Sequence, residues 1–120
     1  MSMAKKWLGV SPVTAQSIQG DANTAITAAG TVIGTATDLT NVVNIVTTAT
    51  ANQGVQLDTG VIGDWQIGYN NTLATISVYP SSSTAKINQI TAGSPHLLAS
   101  QTSCIYFVAS ATQHIANLSS

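Results

Sequence analysis

The side chains that could do chemistry in this chain are two histidines, one cysteine and four aspartates, with no glutamate and no arginine. A metal site needs three or four converging ligands, and neither Cys nor Asp stands at ligand spacing beside His96 or His114. We therefore expect no metal site, and we expect His114 to pack as a half-buried ring beside the last turn. Cys104 lies in an apolar run and is expected to behave as a small buried hydrophobic residue.

Asp58 and Asp64 flank the short loop Gly60-Val61-Ile62-Gly63. Paired carboxylates at such a place could hold Ca²⁺ or do acid–base work. Alternatively, each aspartate ends a strand and accepts a hydrogen bond from a loop N–H, which is the interpretation we favour. The chain has no glutamate or arginine, no serine in a nucleophile-elbow motif and no phosphate-binding loop. We therefore expect no catalytic residues, no cofactor and no enzymatic activity.

Charged residues make up only 6 % of the 120 residues, whereas about a quarter is usual in soluble domains. Three lysines and a net charge of −1 cannot supply the phosphate contacts on which nucleic-acid binding depends. No apolar stretch approaches the roughly 20 residues of a membrane-spanning helix. The composition therefore disfavours nucleic acid and membrane as partners, and it favours a protein that lies against other protein.

The elements that must position these residues are strands. From about Thr40, apolar and polar residues alternate with a period of two, and turn signals recur every 8–12 residues, as in small all-β domains. We predict strands at 43–47, 54–57, 64–70, 74–79, 86–90, 96–100, 104–109 and 113–118.

Residues 64–70 and 74–79 are predicted to pair as a hairpin, and 104–109 to be buried on both faces. Residues 21–29 could hold a short helix. The predicted fold is a small antiparallel β-sandwich or jelly-roll-like barrel over residues 21–120, preceded by an extended N-terminal arm, residues 1–20. The predicted core consists of Val43, Ile45, Trp65, Ile67, Tyr69, Ile76, Val78, Ile105 and Phe107.

Aromatic side chains on the predicted strands are assigned to the core rather than to a sugar-stacking platform. Trp7 differs, because it stands with Lys5, Lys6 and Leu8 in a segment without strand pattern. Such a residue is either disordered or anchored in a groove of a partner, and large rings are common anchors. We favour anchoring, with Lys5, Lys6, Trp7 and Leu8 as the contact residues of the arm.

From about Gly20 onward, a series of strand and turn segments forms a pattern that the chain shares with a known class of proteins. The segments are Thr31-Val32-Ile33-Gly34-Thr35-Ala36, Leu39, Val42-Val43-Asn44-Ile45-Val46-Thr47-Thr48, Gly54-Val55-Gln56-Leu57, Gly63-Asp64-Trp65-Gln66-Ile67, Asn70-Asn71, Ile76-Ser77-Val78-Tyr79-Pro80, Ile87-Asn88, Leu97 and Phe107-Val108-Ala109. On these residues the chain resembles a class of small β-rich virion proteins of tailed phages, which includes capsid decoration (cement) proteins. One departure is His114, where such sequences often place an aromatic residue.

The resemblance implies a homotrimer on the exterior of the capsid, made in the host cytoplasm, that binds the major capsid protein and bridges neighbouring capsomers. The chief alternative is a receptor- or glycan-binding module of a phage fibre or spike, where β-sandwiches with exposed aromatic residues also occur. A tail or connector component is the third possibility.

Overall fold

The protein is all-β. The computed structural model describes residues 21–119, and within this range there are ten strands and no helix. Every strand predicted from Val43 onward is confirmed to within a few residues. Residues 21–29, which from the sequence could have held a short helix, contain strand β1 instead. The strands are β1 (Ala22–Thr27), β2 (Thr37–Asp38), β3 (Val43–Thr48), β4 (Gly54–Gln56), β5 (Trp65–Asn70), β6 (Ile76–Tyr79), β7 (Lys86–Ile87), β8 (His96–Leu98), β9 (Ser103–Ser110) and β10 (Gln113–Ser119).

The strands form two sheets, a six-stranded one in the order β1-β3-β5-β9-β10-β7 and a four-stranded one in the order β2-β4-β6-β8. From β1 to β6 the chain changes sheet at every strand. Because of this alternation, β1, β3 and β5 lie parallel in one sheet and β2, β4 and β6 lie parallel in the other. This path is typical of solenoid winding, in which each turn contributes one strand to each sheet.

The prediction of antiparallel sheets is correct for β5–β9, β9–β10 and β6–β8, but the other five pairings are parallel. Parallel neighbours need a crossover connection, and here the crossover between β1 and β3 is itself a strand of the second sheet. Side chains alternate between the two faces with a period of two in both parallel and antiparallel strands. The alternation in the sequence therefore located the strands without indicating their direction.

The predicted hairpin of residues 64–70 and 74–79 is also wrong, since β5 and β6 belong to different sheets. The turn between them is a corner, and the buried side chain of Asn70 fixes it. Asn70 Nδ2 donates to the carbonyl oxygens of Ala74, at 2.7 Å, and Leu98, at 2.9 Å, while Oδ1 accepts from the N–H and hydroxyl of Thr72. Leu98 lies in β8, so this one side chain joins the two sheets.

One hydrophobic core takes side chains from both sheets. Of the predicted core residues, Ile76 and Val78 of β6 are fully buried. The buried cluster comprises Ile26, Ala28, Leu39, Val46, Val55, Leu57, Ile76, Val78, Ile87, Leu98, Cys104 and Tyr106.

The other seven predicted core residues require a correction, because they do not line this core. Val43, Ile45, Trp65, Ile67, Tyr69 and Ile105 are only half-buried, and Phe107 is 37 % exposed. In β9 burial alternates, so the prediction of a strand buried on both faces is wrong as well.

Strands β3 and β5 of the six-stranded sheet turn their less hydrophobic sides inward. Their buried inward residues are Asn44, Val46, Gly68 and Asn70. The missing side chain at Gly68 leaves room for the buried Tyr106 ring, whose Cε2 would lie 3.6 Å from a Cβ at Gly68. Successive residues of a strand point to opposite faces. The larger apolar residues of β3 and β5 therefore point away from the core.

Candidate functional site

The most distinctive surface of the described residues is the side of the six-stranded sheet that faces away from the core. We call it the outer apolar face. Three of its four strands, β3, β5 and β9, supply residues that the hydrophobic pattern had assigned to the interior, and β10 adds Ile115. The face comprises Val43, Ile45, Trp65, Ile67, Tyr69, Ile105, Phe107 and Ile115.

Strand register aligns these side chains in rows. Trp65 pairs with Phe107, and Phe107 pairs with Ile115. In a neighbouring row, Ile67 lies between Val43 and Ile105. Phe107 and Ile115 are the most exposed members, at 37 % and 42 %. No residue of β3, β5, β9 or β10 is charged at neutral pH, so the rows form an apolar surface uninterrupted by charge.

A cleft of about 510 Å³ lies at the end of the sheet where β5 begins, and its lining includes the inward-facing residues Tyr106, Val108 and His114. Trp65 belongs to both the cleft lining and the outer apolar face. Three of the four aspartates of the chain, Asp21, Asp58 and Asp64, line the cleft as well. The cleft therefore combines an indole ring with carboxylates and the amide groups of Asn41 and Gln66.

Most polar groups of the cleft are engaged in holding its loops. Asp64 Oδ2 accepts from the N–H of Val61, and Asp58 Oδ1 accepts from the N–H of Thr59, each at 3.0 Å. Gln66 Nε2 donates to the carbonyl oxygens of Leu39 and Asn41. The two aspartates thus bond loop N–H groups, which is the arrangement we favoured from the sequence over a Ca²⁺ or acid–base site.

Each histidine contacts a hydroxyl group that is distant in sequence. His114 is buried rather than half-buried, and its Nε2 lies 3.0 Å from Ser81 Oγ and accepts from the Ser81 N–H at 3.3 Å. Nδ1 of His96 lies 3.0 Å from the hydroxyl oxygen of Tyr106, and the two rings meet edge to face. Sequence reasoning missed both contacts, because no local pattern links positions that only the tertiary fold brings together.

The Ser81–His114 contact has the residue types of a nucleophile and its base. Its geometry, however, serves to attach the loop after β6 to β10. The Ser81 backbone N–H donates to the same Nε2 atom, and among the described residues no carboxylate hydrogen-bonds to His114. A nucleophile–base pair generally needs a third group that orients the base. We therefore assign the contact a structural role.

Cys104 and Tyr106 are neighbouring inward residues of β9. Burial raises the pKa of the Cys104 thiol and raises the pKa of Tyr106 well above its ordinary value. Both side chains therefore stay protonated and uncharged at neutral pH. Because the thiolate is the reactive form of cysteine, the buried Cys104 is inert, as the sequence indicated.

We predict that the protein loses stability as the pH falls from 7 to 5. Burial lowers the pKa of both His96 and His114, so the unfolded chain binds more protons than the folded one below about pH 6.5. The contribution of the two histidines to the free energy of unfolding is complete above their pKa in the unfolded chain. It is lost as the pH falls toward their lower pKa in the folded chain. One histidine can contribute a slope of at most about 1.4 kcal/mol per pH unit. Urea unfolding should show a lower midpoint at pH 5 than at pH 7.

The matched control is the double variant His96→Gln, His114→Gln, whose replacement side chains do not titrate. Its midpoints at pH 7 and pH 5 should lie closer together than those of the natural chain. An undiminished difference in the double variant would assign the pH dependence to other groups.

Several sequence expectations concern residues outside the described range. Lys5, Lys6, Trp7 and Leu8, the predicted contact residues of the arm, all lie there. Within residues 21–119, no three His, Cys, Asp or Glu side chains come together in a way that could hold a metal ion. None of the described residues forms a helix of the length and apolar character needed to cross a membrane.

No family model matches the chain, and neither curated proteins nor solved structures include a significant match. The surfaces of the molecule itself therefore carry the evidence for what the protein does.

Proposed function

We propose that this chain is a structural virion protein, a capsid decoration (cement) protein on the outer surface of a phage head. In this function it binds the major capsid protein and stabilises contacts between capsomers. The observation that carries the proposal is the surface of residues 21–119, which has five charged residues but many exposed large apolar side chains. These are Val32, Val61, Ile62, Leu73, Leu97, Phe107, Ile115 and Leu118.

Such a surface is suited to being covered by protein. Apolar area removed from water stabilises an interface by roughly 25 cal/mol per Å². Exposed threonine, serine and asparagine side chains offer hydrogen bonds without the large cost of desolvating a charge. Each copy would contribute a modest binding free energy at a joint between capsomers. Because many copies bind one shell, these contributions would together stabilise the shell against the pressure of packaged DNA.

The proposed assembly is a homotrimer whose body is a two-sheet sandwich with the solenoid path of β1 to β6. Residues 1–20 form its extended arm, which adds contacts with the shell. Nucleic acid and membrane are not among its partners. The protein would be made in the host cytoplasm and would act on the exterior of the capsid.

Val61 and Ile62 are the residues of the described body that we assign to capsid contact. They are adjacent in the loop between β4 and β5 and are 72 % and 75 % exposed. The loop is held by the Asp64 carboxylate on the Val61 N–H, and Gly63 takes a positive φ of 95°. A held loop loses little conformational entropy on binding, which favours its apolar tip as an anchor.

Ile62→Asp should therefore weaken binding to purified capsids at least about tenfold, because the carboxylate would have to be desolvated in the contact. Leu73→Asp is the matched control. Leu73 is 95 % exposed but follows the end of β5 opposite to the Val61–Ile62 loop, so assignment of the capsid contact to that loop predicts that Leu73→Asp keeps its binding. Cosedimentation of each variant with capsids measures the effect. Equal binding by both variants would contradict the assignment of Ile62.

The location of the protein on intact virions tests the function itself. Electron microscopy of particles should show it on the outer surface of the head, at joints between capsomers. Location on a tail or connector would overturn the proposal.

A second candidate function is a receptor- or glycan-binding module, and the cleft beside Trp65 favours it. An aromatic ring next to carboxylates and amides can bind a sugar by stacking and hydrogen bonding. Binding of glycans by the isolated protein on a glycan array, together with location at a fibre or spike tip, would establish this alternative in place of capsid decoration.

A further inference from the structure

The outer apolar face presents its side chains on a continuous sheet. The four strands that form it are adjacent in the order β3-β5-β9-β10. Uncharged polar residues border the apolar rows, among them Thr47, Ser103 and Asn117. Specific protein interfaces have the same composition, with an apolar and aromatic centre surrounded by a polar rim.

The area of the outer apolar face is that of an interaction surface and is larger than the area exposed by single scattered apolar residues. Four strands about 4.8 Å apart, each about six residues long at about 3.4 Å per residue, cover roughly 400 Å². This matches the largest apolar patch of a typical monomer, which is often functional. It is about half of the roughly 800 Å² that each partner contributes to a standard interface. The polar rim would supply the remainder.

The absence of charged residues from the outer apolar face indicates what kind of protein surface binds to it. A partner that placed a charged side chain here would leave it desolvated and unpaired, because β3, β5, β9 and β10 carry no charge to meet it. A second copy of the chain presents an identical uncharged face. Closed symmetric assembly of such copies covers every face at once.

We propose that the outer apolar face is the surface through which copies of this chain associate with one another. In a threefold assembly, each outer apolar face would contact both neighbouring copies. This inference rests on the self-association included in the proposed function, but it does not depend on binding to a capsid.

The test uses the full chain in the absence of capsids. Sedimentation equilibrium over roughly 1–100 µM should show a concentration-dependent oligomer for the natural chain. Phe107→Lys combined with Ile115→Lys places two desolvated charges in each face and should weaken association at least about 100-fold. A natural chain that stays monomeric throughout this range, or a double variant that still assembles, would overturn the inference.

The matched control is Leu73→Lys combined with Leu97→Lys, which changes two exposed leucines outside the face by the same chemistry. This control should assemble like the natural chain. Far-UV circular dichroism verifies that each variant is folded. If the lysine pair at 107 and 115 unfolds the protein, Phe107→Ser and Ile115→Ser as single changes carry the same test.

Residues 1–20 are the competing occupant of the face. If they covered it within one chain, the natural protein would be monomeric and Trp7→Asp would increase the binding of an apolar dye, a result that would overturn the inference. Failure of the natural chain to bind capsids, although it self-associates, would count against the proposed decoration function alone. The two failures are therefore distinguishable.

Discussion

Replacement of Asn70 by alanine is expected to lower the free energy of unfolding by about 3 kcal/mol, estimated from the cost of leaving buried polar groups unpaired. Asn70 is fully buried at the corner between β5 and β6. Alanine would remove four hydrogen bonds, two to the carbonyl oxygens of Ala74 and Leu98 and two from Thr72. Since Leu98 belongs to β8, the loss would loosen one sheet from the other. Urea unfolding followed by circular dichroism measures the change.

Asn71 provides the matched control, because it has the same chemistry one residue later but is exposed. Its backbone N–H donates to the carbonyl oxygen of Val46, and a change to alanine keeps that bond. Asn71→Ala should change the free energy of unfolding by less than about 0.5 kcal/mol, as surface substitutions usually do. Similar losses in both variants would show that the Asn70 side chain does not hold the corner.

The second large effect is expected at Gly54, a buried glycine of β4. A Cβ at this position would lie 2.7 Å from Cε2 of Tyr79 and 3.1 Å from Cβ of Ala36. The Tyr79 ring cannot move aside freely, because its hydroxyl donates to the carbonyl oxygen of Thr31 at 2.6 Å. Gly54→Ala should therefore destabilise the protein by about 2 kcal/mol, within the range for overpacked cores. Thermal and urea unfolding provide the measurement.

Gly68 of β5 is the corresponding control. It is also buried in a strand, but a Cβ there would meet Cε2 of Tyr106 at an ordinary contact distance of 3.6 Å. Gly68→Ala should leave stability unchanged within about 0.5 kcal/mol, or raise it slightly, because alanine reduces the entropy of the unfolded chain. If Gly54→Ala proved as well tolerated as Gly68→Ala, the close approach of Tyr79 would not be a constraint.

The sequence located the strands well because alternation is a local property. Trp65, Ile67 and Tyr69 do lie on one side of β5, as their spacing indicates. Local spacing cannot show which side faces inward, and the larger apolar side was assigned to the core. In the fold, Gly68 and Asn70 face inward instead, because the Tyr106 ring occupies the space beside Gly68 and the corner needs the amide of Asn70.

The strands before Thr40 could not be predicted from the sequence for a different reason. In β1 only Ile26 is buried, and the remaining residues are small or polar, so no alternation marks the strand. Strand β2 has two residues, too few to show any period. Neither strand has a sequence signal of its own, and both depend on pairing with β3 and β4. Such strands cannot be found from local pattern.

The parallel stacking of β1, β3 and β5 has a consequence for how chains of this architecture can change in length. Ala22, Val43 and Ile67 are register partners in successive turns, and each turn contributes one strand to each sheet. Gain or loss of a whole turn would leave the inward-facing side chains of all remaining strands facing inward. Insertion of one residue within a strand would instead move its inward-facing side chains to the outer face of the sheet. Evolutionary length variation in the half of the body formed by β1 to β6 should therefore occur in whole turns.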